Sequence, residues 1–142
     1  MFVMLLPIVI NTCVFIFLSA IHFYWAFDGK WGVGGVVPVN AEGRQMLDPG
    51  KFGTIIVALG LLAFALVTVG NTGVFDALVG RSVIIWATRG IALLFTLRAI
   101  GDFTYVGFFK KIKNTTFARN DTRIFSPLCV LIAVLSIMAS MA

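Results

Sequence analysis

Charge is scarce in this chain. Asp, Glu, Lys and Arg make up 12% of its 142 residues, about half the share that a soluble domain carries. So little charge cannot wet the surface of a fold this size, which argues against a freely soluble domain. Histidine occurs once, as His22, and cysteine twice, as Cys13 and Cys129. There is no CxxC and no Cys/His ligand spacing, so neither a metal site nor a cofactor is expected. Both cysteines read as small buried apolar residues, with no disulfide between them. A nucleophile motif and a phosphate-cradling glycine loop are also missing.

What is present is apolar length. Hydrophobic residues reach 60%, and the mean hydropathy is +1.03. Four long apolar runs stand out, each near the ~20 residues a helix needs to cross a ~30 Å hydrocarbon core. Backbone groups in lipid must pair within their own segment, so such runs read as helices. The alternation of a barrel strand is absent. The fold class expected is all-α, a four-transmembrane-helix bundle, with helices near 2–25, 52–70, 82–106 and 124–142 in a single domain over 1–142. The first run is too long for a secretory leader core and has no basic residue before it, so it reads as a span.

A net charge of +5 invites a nucleic-acid reading, but its placement argues otherwise. Lys30, Arg44 and Lys51 fall in the first loop; Lys110, Lys111, Lys113, Arg119 and Arg123 fall in or beside the third. Only Arg81 flanks the second. Loops one and three share a side, so the positive-inside rule puts them in the cytoplasm and both termini outside, in the inner (plasma) membrane. Lys110, Lys111 and Lys113 are then expected on anionic lipid headgroups; nucleic acid is not an expected partner.

Three ionisable residues, Arg89, Arg98 and Asp102, interrupt the third span. Charges at that depth cost about 2.5–3.5 kcal/mol on insertion scales and normally face a partner or a cavity. At about 100° per residue, Arg98, Asp102 and Tyr105 share one stripe, and Arg98 can pair with Asp102 at i, i+4. The stretch HFYWAFDGKWG brings His22, Tyr24, Trp25 and Trp31 to the same depth from the first helix. A polar pocket is expected there, lined by His22, Trp25, Trp31, Arg98, Asp102 and Tyr105 and roofed by the long first loop. Asp121 could add a second carboxylate, and Ser126 sits where the fourth helix starts, with Pro127 in its first turn. Arg89 lies on the opposite side of its helix. With Asn11 it forms a second polar layer, within reach of Thr68, Asn71, Asp76 and Ser136. Each residue also has a plain structural reading: His22 as a helix-end cap, the aromatics as an interfacial belt, and Arg98–Asp102 as a packing pair.

HFYWAFDGKWG, PGKFGTIIVALGL and RAIGDFTYVGFFKKIKNTTFARNDTRIFSPLC together resemble a family of small bacterial four-helix membrane proteins catalogued as a domain of unknown function. The resemblance covers nearly the whole chain. It rests on His22, Trp25, Trp31, Gly32, Pro38, Arg98, Gly101, Asp102, Tyr105, Gly107, Thr116, Phe117, Asp121, Ser126 and Pro127. Two positions depart from the family's pattern: Asp28 stands where glycine is usual, and Phe125 where tyrosine is usual. The resemblance implies the fold and no reaction.

Three functions fit these residues. The first is binding of a small amphipathic or anionic molecule near the cytoplasmic leaflet, extending to transport if a homodimer supplies the path. The second is an accessory or assembly subunit whose polar pairs only lock packing. The third is a membrane-embedded enzyme using His22 and Asp102 as acid and base on a lipid-like substrate.

Overall fold

The computed structural model of the chain describes residues 2–142, with side chains from residue 5 onward. The helices are α1 (Phe2–Ala26), α2 (Gly50–Gly70), α3 (Arg81–Ile100), α4 (Thr116–Asn120) and α5 (Ser126–Ala139). A single π turn, Asp121–Phe125, joins α4 to α5, so the two form one helical path. Four segments are long and apolar enough to cross a membrane: Leu5–Ala26, Gly50–Gly70, Arg81–Ile100 and Thr116–Ala139.

The molecule has its polarity inverted, as expected of a multi-pass membrane protein. Large apolar side chains such as Leu6, Phe17, Leu59, Leu66, Leu93 and Val134 face outward along the helices, while Asn11, Ser19, Thr68, Asn71, Thr88 and Ser136 are buried between them. Water would favour the reverse. In lipid the apolar surface is already solvated, so small polar groups and close packing hold the helices together. Ser19 Oγ donates to the carbonyl of Ala58 at 2.7 Å, tying α1 to α2. Asn11 Nδ2 donates to Ser136 Oγ at 3.0 Å, tying α1 to α5. Asn71 Nδ2 donates to Thr88 Oγ1 at 2.8 Å where α2 turns into α3. Bonds of this kind contribute about 0.6 kcal/mol each. Cys129 is buried, but Cys13 faces outward, contrary to expectation, because its helix turns Phe15 rather than residue 13 into the core.

α1 packs along α2, and α3 along α5, while α2 and α3 meet only sparsely. Phe15, Phe64 and Phe95 form a triangle with centroids 5.6–6.2 Å apart at the centre of the bundle. Below that triangle, toward loops one and three, the two helix pairs leave space between them.

The third helix is shorter than the 82–106 expected. It ends at Ile100, where Gly101 adopts φ 91°. The chain then doubles back: Phe108 N donates to Ala99 O at 2.9 Å. Gly101 and Gly107 pass backbone to backbone, and a Cβ on either would run into the other strand of the turn. Hydrophobicity continues through FTYVGFF, so the stop is a matter of glycine conformation and not of pattern. The fourth helical path starts earlier than the 124 expected, at Thr116, with Thr115 Oγ1 accepting from Ala118 N at 3.0 Å as its N-cap. Pro127 therefore lies inside a helical path rather than at a free start. The π turn before it makes this tolerable: the N–H of Ser126 reaches back five residues to Asp121 O. This wider turn relieves the clash a proline makes with the carbonyl four residues earlier.

Loop one is folded. It holds a 3₁₀ turn at Val33–Gly35 and an isolated bridge between Val39 and Gln45. Asn40 Oδ1 closes the bridge turn by accepting from the N–H groups of Glu42 and Arg44. Asn120 Nδ2 donates to Gly35 O at 3.2 Å, so loops one and three meet at one end of the bundle. Asp28, where the family resemblance places glycine, sits at φ 66°, a conformation glycine adopts most cheaply.

Candidate functional site

Where the helix pairs separate, a cavity of about 970 Å³ opens between α1, α2, α3, α5 and loop one. Its floor is apolar: Leu61, Phe64, Phe95, Leu128 and Ile132. Its mouth is polar: His22, Trp25, Asp28, Lys30, Lys51 and Arg98. Gly60 and Val57 of α2 face Leu94 of α3 across one side. Gly60 carries no side chain, and a Cβ there would meet nothing within 4 Å, which keeps that wall open.

His22, Trp25 and Arg98 are the sequence-derived candidates that line this cavity. The His22 ring lies 5.1 Å from that of Trp25, edge-on. Its Nδ1 is 2.7 Å from the carbonyl of Leu18, an acceptor, so Nδ1 carries a proton. Trp25 Nε1 donates to the carbonyl of Trp31 at 2.8 Å. Trp31 itself is 72% exposed and does not line the cavity; its backbone serves to pin the start of loop one.

The Arg98–Asp102 pair expected from i, i+4 spacing is replaced by another. Because α3 stops at Ile100, Asp102 leaves the helical stripe and becomes exposed. Its Oδ1 accepts from the N–H groups of Thr104, Tyr105 and Val106 at 2.8–3.0 Å. Partial burial pushes its carboxyl up, but these backbone donors outweigh it and hold the group below the usual carboxylate range. Tyr105 is carried off in the same turn and does not reach the cavity.

Arg98 binds Asp121 instead. Asp121 is completely buried. Its Oδ1 accepts from Arg98 Nη2 at 2.9 Å, and its Oδ2 from Lys110 Nζ at 3.0 Å and from Gly107 N at 2.7 Å. Lys110 Nζ also donates to Gly107 O at 2.8 Å and Thr122 Oγ1 at 2.6 Å, so all three of its protons are used. Lys110, expected on lipid headgroups with Lys111 and Lys113, is thus 2% exposed, because the turn at Gly107 folds it inward onto Asp121. Lys111 and Lys113 remain exposed.

One carboxylate between two cations leaves the cluster with a surplus positive charge. Arg98, its side chain 32% exposed, brings that charge to the cavity wall, and its Nη1 has no partner among the described residues. A cation at the edge of an apolar cavity is costly to leave uncompensated, and an anion there would complete it. Ser126 Oγ is likewise buried without a partner among the described residues, and it does not line the cavity. Sequence reasoning missed Lys110 as a member of the cluster. The available signal was Asp121, an acid amid basic residues, which had to be shared.

The second polar layer divides. Asn11 is fully buried on Ser136, whereas Arg89 points outward from α3 with its guanidinium 5.2 Å over the Trp86 ring. They do not meet, because a half-turn of α3 separates Arg89 from the helix's inward face. Among the described residues, no three His, Cys, Asp or Glu side chains come together as a metal would require.

No curated protein and no solved structure matches this chain. Its sequence does match, over residues 15–136, the family described as protein of unknown function (DUF3995). With most of the chain inside that match, the protein belongs to this family of uncharacterised function.

Proposed function

We propose that this protein binds a small amphipathic molecule with an anionic head, its head at Arg98 and His22 and its tail among Phe64, Phe95 and Ile132. The observation that carries this is the Arg98–Asp121–Lys110 cluster: two cations share one carboxylate, and the cation left with an unpaired N–H borders a cavity with an apolar floor. A cavity of this size falls in the range of small-molecule sites. The ligand's head supplies the missing negative charge, and its tail replaces lipid or vacuum on the floor. In this reading the basic end of the bundle faces the cytoplasm from the inner membrane, and Lys111 and Lys113 rest on anionic headgroups.

Acid–base catalysis by His22 and Asp102 lacks geometric support, since Asp102 is spent on its own turn and does not border the cavity. Passage across the bilayer lacks it too, since Asn11 and Arg89 do not continue the polar path. A purely structural role for the ion cluster leaves the adjoining cavity without a purpose.

The test is native mass spectrometry and thermal unfolding of the detergent-extracted chain with dodecyl phosphate, against dodecanol as the uncharged control. Dodecyl phosphate is expected to bind and to raise the unfolding temperature. Arg98→Gln should weaken it about tenfold, the effect of losing one charge-assisted hydrogen bond. Gly60→Leu, whose Cβ meets nothing within 4 Å and whose side chain enters the cavity, should weaken both tail-bearing molecules. Equal binding by wild type and both variants would overturn the proposal.

A further inference from the structure

A second, smaller groove lies on the outer face of the bundle, between α3 and α5. Ala92, Leu93 and Thr96 form one wall and Ala133, Val134, Ile137 and Met138 the other, with Arg89 at one end; its volume is about 450 Å³. Among the described residues, Arg89 makes no hydrogen bond and no ion pair. Arg89 lies eight residues into α3 from Arg81, about 12 Å along the axis. Its guanidinium leans back over Trp86, one turn nearer the Arg81 end, which is how a long basic side chain reaches from hydrocarbon toward an interface. From that charge the groove runs the other way, to Thr96 and Ala133, about 10 Å toward the bundle centre.

We infer that this groove is a binding site for a membrane phospholipid, its phosphate on Arg89 and one acyl chain between α3 and α5. The order of chemistry along the groove matches such a molecule: cation and indole at the interfacial end, methyl-lined channel below. A lipid phosphate removes the cost of an unpaired cation at this depth, and the acyl chain fills a gap that straight helices leave beside Ala92 and Ala133. A second copy of the chain fits worse. A two-fold contact centred on this groove would set two unpaired Arg89 side chains against each other in a medium of low dielectric. The site is separate from the cavity on the other side of α3, and neither depends on the other.

The experiment is native mass spectrometry of the full chain released from nanodiscs of phosphatidylglycerol, compared with added diacylglycerol of the same acyl chains. Wild type is expected to retain one phosphatidylglycerol that diacylglycerol does not replace. Arg89→Gln should reduce its occupancy about fivefold, in line with one basic contact at an interface. Val134→Trp, at a position already outward-facing, should reduce it with Arg89 intact, and Leu59→Trp, outward-facing on α2, should leave it unchanged. Retention by Arg89→Gln and Val134→Trp at the wild-type level would overturn the inference. So would a dimer that both variants dissociate.

Discussion

Asp121 holds two cations and a backbone N–H. Replacing it with asparagine keeps the size but strands Arg98 and Lys110 together. The expected loss is about 3–5 kcal/mol, as for other buried pairs broken on one side, measurable by unfolding in detergent. Lys110→Met should cost less, because it removes the surplus charge instead of adding to it. Asp102 is a milder case. Its carboxyl is held below the usual value near 3.9, so its stabilisation is present above that pH and is lost as pH falls through the lower native value. Asp102→Asn should therefore flatten the most acidic part of the stability profile and leave the neutral part nearly unchanged. The effect is small, since the group is exposed.

At the scale of elements, the end of α3 decides what faces the cavity. Gly101 at φ 91° stops the helix two residues short of carrying Asp102 onto the Arg98 stripe. Gly101→Ala meets both a left-handed backbone and the carbonyl of Val106. It is expected to destabilise the fold by about 2–3 kcal/mol and to weaken binding at Arg98, because Lys110 and Gly107 lose their place around Asp121. Thermal unfolding and dodecyl phosphate titration of the same sample would report both. The π turn at Asp121–Phe125 plays the matching part on the other side. Its extra residue carries the helical path past Pro127 while turning Asp121 inward.

For the whole molecule, the bundle is asymmetric from end to end. Loops one and three, with eight of the basic residues, close one end; the short loop from Asn71 to Gly80 closes the other, where Arg81 bonds to the carbonyls of Asn71 and Ala142. If the basic end faces the cytoplasm, a membrane-impermeant maleimide added to intact cells should label Thr72→Cys and spare Lys113→Cys. Labelling of Lys113→Cys alone would reverse the orientation and put the anion cavity on the outer leaflet. Anion binding, being local to Arg98, would survive that reversal.

Length and hydropathy alone determined the four spans, and the singular His22 and the charged Arg98 marked the depth at which the cavity lies. These features are legible because a bilayer imposes its thickness on any chain that crosses it. The partner of Arg98 was not legible. Helical spacing pointed to Asp102, four residues away, whereas the partner is Asp121, twenty-three residues away across a turn. Nor did the run of lysines show that Lys110 is interior while Lys111 stays outside. Both depend on where the backbone reverses at Gly101 and Gly107, and that reversal is fixed by close backbone approach between residues distant in the helical pattern. Periodicity describes a chain that continues, and tertiary structure alone decided where this one stops.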